Sequence, residues 1–316
     1  MKHYIGIDLG GTNIAVGIVN EKFEIIARAK LKTKAIRPAE DICDDMKIAV
    51  DMALNEAKLS MADVEWVGIG TPGTVNPVTG VIGFANNLGF NNVPIKSLME
   101  DRLGTSVFVE NDANAAAYGE AIAGAARGID NMMAITLGTG IGSGVMIDGK
   151  MLTGIDGGGG ELGHTGIVKG GKHCTCGRDG CVEAYASATG LIASTKEAMQ
   201  KAPQSKMWER AKTLEEVSGR TAFDAMRDGD ETAEAVVAEY CDYLAYGLVN
   251  YINIFAPQLI VLGGGISKEG EPFLDRLRGS IKAQIYGGTL KTELACAQLG
   301  NDAGIIGAAF LGNLSV

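Results

Sequence analysis

The run Tyr4-Ile-Gly-Ile-Asp8-Leu-Gly10-Gly11-Thr12-Asn13, continued by Ile14-Ala-Val-Gly-Ile-Val19, sets two apolar strand-like segments on either side of a glycine pair. Segments of that kind joined by Gly-Gly read as a β-hairpin. At its turn the backbone N–H groups of Gly10, Gly11 and Thr12 can form an anion cradle, and Asp8 at the strand end can hold a cation through water. A tight hairpin without a ligand is the plainer account of the same residues. A related pattern recurs at Met132-Met-Ala-Ile-Thr136-Leu-Gly138-Thr139-Gly140-Ile-Gly142-Ser-Gly144-Val-Met-Ile147. Alignment carries Leu9 onto Leu137, an offset of 128 residues, and both copies run strand, glycine turn, strand. This pattern reads as an internal duplication of a phosphate-gripping hairpin. A third run, Leu259-Ile-Val-Leu262-Gly263-Gly264-Gly265-Ile-Ser267, ends an apolar strand before an expected helix. It suits a nucleotide's sugar or base lying against bare backbone, or simply a tight strand-to-helix turn. None of the three fits the P-loop spacing or the Gly-x-Gly-x-x-Gly fingerprint. Together they suggest a nucleotide clamped between two related α/β domains.

Soft ligands concentrate elsewhere. Glu161-Leu-Gly-His164 is followed after nine residues by Cys174-Thr-Cys176-Gly-Arg-Asp-Gly-Cys181-Val-Glu183, which gathers three of the six cysteines and one of three histidines. Three thiolates and an imidazole make a closed four-ligand set of the kind structural zinc prefers, and Gly177 and Gly180 let a short loop wrap an ion. The alternatives are three unrelated thiols, or a disulfide, which six cysteines in 316 residues do not favour. If His164 gives one ring nitrogen to a metal, the other can be aimed at a ligand. Zinc would then be a scaffold for recognition and not a catalyst.

Composition narrows the classes of partner. At 316 residues and 46% hydrophobic, the chain is long enough for two domains with separate cores. No apolar run approaches the ~20 residues of a membrane span. A net charge of −10 argues against nucleic acid and against anionic membrane. No signal peptide is read before the first strand, so the thiols are expected in reducing cytoplasm. The 45 glycines cluster at the ends of apolar runs, where backbone turns or meets a ligand.

The stretch Val107-Phe-Val-Glu110-Asn111-Asp112-Ala-Asn114-Ala-Ala-Ala-Tyr118-Gly-Glu120 reads as an apolar strand running into an alanine-rich helix. Asp112 therefore lies at or next to a helix N-cap, where capping and chemistry are equally open to it.

These motifs resemble those of sugar kinases with the two-domain actin-like ATPase fold (ribonuclease H-like domains), and specifically the repressor, open-reading-frame, kinase (ROK) family, over nearly the whole chain. Asp8-Leu-Gly10-Gly11-Thr12 resembles its first phosphate motif, Leu137-Gly138-Thr139-Gly140 its second, and Gly263-Gly264-Gly265 its adenosine motif. The resemblance implies zinc on His164, Cys174, Cys176 and Cys181, sugar hydroxyls on Glu161, His164 and Glu183, and Asp112 as the base that accepts the proton of the attacking hydroxyl. Phosphoryl transfer asks mainly for positioning and charge neutralisation, so such a base need not have a raised pKa. Asn111, and Asn87 within Ala85-Asn86-Asn87-Leu88-Gly89-Phe90, would offer amides to the sugar ring. Family glucokinases usually read Asn-Leu-Gly-Trp in that loop, where this chain has Phe90.

The same resemblance implies Mg-ATP as donor with Asp8 near the magnesium, glucose phosphorylated at its 6-hydroxyl, and a cleft that closes on sugar and excludes water. N-acetylmannosamine, N-acetylglucosamine and fructose kinases share the motifs. So do sugar-sensing repressors, but those carry a helix-turn-helix for which no room is read before Tyr4. Expected domains are 1–117 with 303–316, and 118–302, the tail helix packing back on the first. Helices are expected at 39–59, 94–103 and 183–202, short ones over 203–232, then a long helix ending near Ala256-Pro257. A homodimer or homotetramer is implied by the family alone. Cys43, Cys241, Cys296, His3 and His173 receive no chemistry.

Overall fold

The structure, a computed structural model, describes residues 2–315. Contacts divide the chain into two compact units. One comprises Met1–Ala134, Gly144–Gly160 and Gln298–Val316; the other comprises Ile135–Ser143 and Glu161–Ala297.

The first unit opens with β1 (His3–Leu9), β2 (Asn13–Asn20) and β3 (Ile25–Lys32), then α1 (Ala39–Ala57) and β4 (Val64–Thr71). Next come β5 (Thr74–Asn76), β6 (Val81–Ala85), β7 (Phe90–Val93), α2 (Ile95–Leu103), β8 (Val107–Asn111) and α3 (Asp112–Ala123). Its main sheet has the order β3-β2-β1-β4-β8, and β5-β6-β7 form a small separate sheet. Ile5, Ile7 and Leu9 on β1 and Ile14, Val16 and Ile18 on β2 are fully buried, each worth roughly 1.5–3 kcal/mol of burial. α1 covers the sheet with Ile42, Met46, Ala49, Val50 and Ala53, one helical face at three- and four-residue spacing.

Register does the rest of the positioning. β1, β4 and β8 run parallel with Asp8 opposite Gly70, Gly70 opposite Glu110 and Thr71 opposite Asn111. The carboxyl ends of the three strands therefore bring Asp8 and the Asn111-Asp112 corner to one sheet edge, the edge where open α/β sheets bind ligands. α3 runs unbroken through residue 117, where a domain boundary was expected, and its unit extends to Ala134.

The chain leaves this unit within β9 (Met132–Leu137) and returns within β10 (Ile141–Ile147), followed by β11 (Lys150–Met151). The later elements are α4 (Val182–Ala186), α5 (Ala188–Lys201), α6 (Met207–Arg210), α7 (Thr221–Arg227), α8 (Glu231–Phe255), β12 (Leu259–Gly264), α9 (Glu271–Gln284), β13 (Glu293–Cys296) and α10 (Ala303–Ala309). The second five-stranded sheet has the order β11-β10-β9-β12-β13. α8 packs on α9 and α7, where Phe223, Tyr240 and Phe273 meet ring to ring. α10 packs on α3, β1 and β4.

The single helix expected over 183–202 is two helices. Ser187 adopts extended backbone between α4 and α5, and its hydroxyl accepts the Gly190 N–H as an N-cap, which ends one helix and starts the next. No helix among the described residues is long and apolar enough to cross a membrane.

Candidate active site and metal centre

In the first unit the turn between β1 and β2 is closed by Gly10 N–H donating to Asn13 O at 2.9 Å. Thr33, fully buried just after β3, donates its hydroxyl to Gly10 O at 2.5 Å and its N–H to Thr12 O at 3.1 Å. A trans peptide points its C=O and N–H in opposite directions, so carbonyls held toward Thr33 turn the N–H groups of Gly11 and Asn13 away from it. Of the cradle expected from Gly10, Gly11 and Thr12, the Gly10 N–H is therefore taken up inside the turn, and the Gly11 N–H is left facing away from Thr33. The loop carrying Asn87 lies against the turn: a Cβ at Gly11 would sit 3.1 Å from Asn87 O.

The Glu110-Asn111-Asp112 corner resolves the cap question. Asn111 is the N-cap of α3, its Oδ1 accepting Ala113 N–H at 2.8 Å and Asn114 N–H at 3.2 Å. Its Nδ2 donates to Gly73 O at 3.0 Å, so most of the amide expected for the sugar is spent on structure. Asp112 is the first helical residue, and its Oδ1 also accepts Ala113 N–H at 2.8 Å. Burial raises the Asp112 pKa, opposed by the Ala113 hydrogen bond. Burial also pushes Asp8 up to about 6, with Asp112 adding to the shift and Lys30 opposing it. The backbone of Gly304 lies against the Asp8 carboxylate, a Cβ there falling 3.7 Å from Asp8 Cγ. Two carboxylates repelling one another at a sheet edge beside an anion cradle form a place for a divalent cation and a proton acceptor.

Glu110 stands behind them, 3% exposed, accepting Asn111 N–H at 2.8 Å and Asn114 Nδ2–H at 3.0 Å. Burial raises its pKa against those two bonds. The buried Oδ1 of Asn114 has no hydrogen-bond partner among the described residues.

In the second unit four side chains converge. One ligand atom each from His164, Cys174, Cys176 and Cys181 lies within 4.8 Å of the others. Cys174 Sγ is 3.6 Å from His164 Nδ1, and Cys176 Sγ is 3.7 Å from Cys181 Sγ. The loop is folded by Cys174 N–H to Arg178 O at 2.8 Å and Gly180 N–H to Lys172 O at 2.8 Å. Gly180 has φ +80° and its missing Cβ would fall 1.7 Å from Val168 O, so glycine is obligatory there. Burial is the main cause that pushes Cys174 up to about 12 and raises Cys181, while the Arg178 N–H lowers Cys176. A divalent cation would offset the cost of burying such thiolates, and a set of three thiolates and an imidazole this close together is of the kind that accepts one. His173 stays out of the cluster, bonded through Nδ1 to Asp179 at 2.9 Å.

Glu161 is exposed at the start of the short 3-10 turn Leu162–His164. Glu183 accepts Ile141 N–H on Oε2 at 2.8 Å and the Thr175 hydroxyl on Oε1 at 3.1 Å. Gly138, Thr139 and Gly140 form the β9–β10 turn, Gly138 N–H donating to Gly140 O at 3.0 Å. Gly263 and Gly264 end β12, beside β9 in the sheet, and Gly265 caps the short 3-10 turn that follows. Phe90 is 3% exposed and belongs to the core of the first unit, so the aromatic exchange there changes packing and not a sugar-facing wall.

Reading the sequence alone missed Thr33, Glu110, Asn114 and Thr189 as supports of these sites. Asn114 carried a local signal, four residues beyond Glu110; Thr33 and Thr189 carried none.

The family model for the ROK family matches residues 4–313. A glucokinase of Thermotoga maritima is 40% identical over 310 residues, 96% of this chain and 95% of that one. Among solved structures, a ROK glucokinase from Streptomyces griseus in complex with glucose and AMPPNP superposes with a TM-score of 0.82 at 37% identity, covering 98% of both chains. A ROK hexokinase from Thermus thermophilus gives 0.83 at 34% identity, covering 99% of this chain and 98% of the other. Matched over residues 4–313 by the family model and over nearly its whole length by these relatives, the chain belongs to the ROK family.

Proposed function

We propose that the protein is an ATP-dependent hexose kinase that converts glucose to glucose 6-phosphate, and that the half-buried Asp112 carboxylate on the sheet edge with Asp8 carries the chemistry. Asp112 orients the sugar's 6-hydroxyl and accepts its proton as the oxygen attacks the γ-phosphoryl group in line. Its raised pKa makes it a better proton acceptor once ionised. Fixed at the first position of α3, it needs no reorganisation to act.

The Gly10–Thr12 and Gly138–Gly140 turns receive the phosphates through the N–H groups of Gly11, Thr12, Thr139 and Gly140, those of Gly10 and Gly138 being used to close the turns, and Gly263, Gly264 and Gly265 let the adenosine approach bare backbone. Asp8 would hold Mg2+, which neutralises phosphate charge when bound with ATP. His164, Cys174, Cys176 and Cys181 would hold Zn2+, which supplies rigidity to the loop. With His164 Nδ1 turned to the cluster, its Nε2 is free to meet a sugar hydroxyl, beside Glu161 and Glu183. Asn87 and the remaining Nδ2 hydrogen of Asn111 complete the sugar's partners. The enzyme acts in the cytoplasm as a homo-oligomer.

Glucose is favoured over other hexoses by the relatives named above and by the burial of Phe90, which removes the one departure from the glucokinase loop. Coupled detection of ADP with Mg-ATP across glucose, mannose, fructose, N-acetylglucosamine and N-acetylmannosamine tests the reading. A higher kcat/KM for glucose is expected; preference for another sugar would move the function to a sister kinase.

A further inference from the structure

The second glycine turn is gripped from one side by the two helices that follow the metal loop. Ala188 N–H donates to Gly138 O at 2.9 Å, and the Thr189 hydroxyl donates to Thr139 O at 2.7 Å. Glu183 Oε2 accepts Ile141 N–H at 2.8 Å and packs so closely that a Cβ at Gly140 would fall 2.4 Å from it. Because each trans peptide opposes its C=O and N–H, the carbonyls of Gly138 and Thr139 held toward α5 turn the N–H groups of Thr139 and Gly140 the other way. The amides that an anion would meet are thus aimed by groups on α4 and α5.

Those helices are themselves tied to the metal loop. Cys181 is the N-cap residue of α4, and Glu183 Oε1 accepts the Thr175 hydroxyl at 3.1 Å and lies 3.4 Å from Cys174 Sγ. With Cys174 ligating a metal, its thiolate would have no proton to donate to Glu183, and the Thr175 hydroxyl is the contact that remains available to tie this carboxylate to the loop. One carboxylate therefore joins the loop between Cys174 and Cys176 to the backbone of the glycine turn.

We infer that Thr189 and Glu183 are positioning residues for the nucleotide, and that the His/Cys3 loop, when it holds its metal, sets the aim of the Gly138–Gly140 amides as well as the sugar contacts. The inference rests on reading that turn as an ATP phosphate site. Nucleotide affinity is then linked to metal occupancy in the absence of sugar.

Calorimetric titration of Mg-AMPPNP into sugar-free protein tests it, on the metal-loaded wild type, the same protein stripped by a chelator and dialysed, and the loaded Thr189→Val, Thr189→Ser and Glu183→Gln variants. Stripping is expected to weaken the analogue at least tenfold. Thr189→Val should weaken it about fivefold, the equivalent of one lost hydrogen bond of about 1 kcal/mol, with Thr189→Ser restoring it. In turnover, Thr189→Val should raise the KM for ATP and leave the KM for sugar unchanged, a split that a merely structural threonine would not give. Thr189 is exposed, so this arm decides the matter even if the stripped protein or Glu183→Gln loses its fold by circular dichroism. Affinities within twofold of wild type in both stripped protein and Thr189→Val overturn the inference. Failure of the loaded wild type to bind Mg-AMPPNP at all overturns the ATP reading beneath it.

Discussion

The two glycine hairpins share a backbone device and differ in what surrounds it. In each, a threonine outside the hairpin holds a turn carbonyl, Thr33 on Gly10 O and Thr189 on Thr139 O. In each, a second backbone N–H holds another, Thr33 N–H on Thr12 O and Ala188 N–H on Gly138 O. The strands of the second copy, β9 and β10, fall where an offset of 128 carries β1 and β2. Asp8 in the first copy corresponds to Thr136 in the second. A carboxylate, Asp8, ends β1 in the first hairpin with Asp112 near it, whereas the second hairpin has Thr136 at that place and its neighbouring acid, Glu183, accepts the Ile141 N–H and the Thr175 hydroxyl. The cradle is generic backbone chemistry; the division between a reacting copy and a holding copy lies in the side chains around it.

The largest expected effect is on the reacting copy. Asp112→Ala should lower kcat by about 10³-fold, roughly 4 kcal/mol in the barrier, while glucose binding measured by calorimetry is retained. Full turnover in that variant would remove the base assignment and with it the asymmetry between the hairpins. On the holding side, Cys176→Ser should cost the protein its stoichiometric zinc by metal analysis. With the clip gone, the KM for sugar should rise by one to two orders of magnitude, as loss of metal-site organisation typically gives. Zinc content far below one per chain in wild type purified without chelator would instead refute the ligand set.

What could be read in the sequence was what is local. The hairpins, the glycine run after β12 and the His/Cys cluster announce themselves within short windows, because strand periodicity and ligand spacing are short-range patterns. α1, α2 and α8 were legible for the same reason. The supports were not: Thr33 lies 23 residues from the carbonyl it holds and Thr189 lies 50 from its own, and a lone threonine has no pattern. Asn111 and Asp112 are adjacent residues of equal capping competence, so only the fold decides that Asn111 caps and Asp112 is left over for chemistry. Phe90 drew notice because family glucokinases usually carry tryptophan there, in the loop with Asn86 and Asn87, yet it begins β7 and is buried in the core.

Asp8 offers a sharper contrast between function and stability. Burial pushes its folded pKa to about 6, above the 3.8 of an unburied aspartate, so the native state binds its proton more tightly than the unfolded chain does. That favours folding fully below the unfolded pKa and is lost as pH rises from about 4 through about 6. About two pKa units correspond to roughly 3 kcal/mol at pH 7 and above. Asp8→Asn, neutral at all pH, should therefore raise the Tm of nucleotide-free protein at pH 7–8, with the gain vanishing near pH 4, while turnover falls. A Tm lower than wild type at pH 8 would mean that Asp8 is stabilised as an anion by groups the structure does not bring to it.

The smallest effect expected comes from the device the two copies share. Thr33→Val keeps the shape of a fully buried side chain but removes its hydroxyl, leaving Gly10 O with one donor fewer in a dry site. Losing such a bond costs about 1–3 kcal/mol. Part of that should appear as lower Tm and part as loosened aim of the Gly11 amide, which predicts a KM for ATP raised about fivefold at nearly unchanged kcat. The mirror variant Thr189→Val sits on an exposed residue and should show the KM effect with little change in Tm. If the two variants instead behave alike in both measurements, the hairpins are equivalent supports, and the difference between them resides in Asp8 and Asp112 alone.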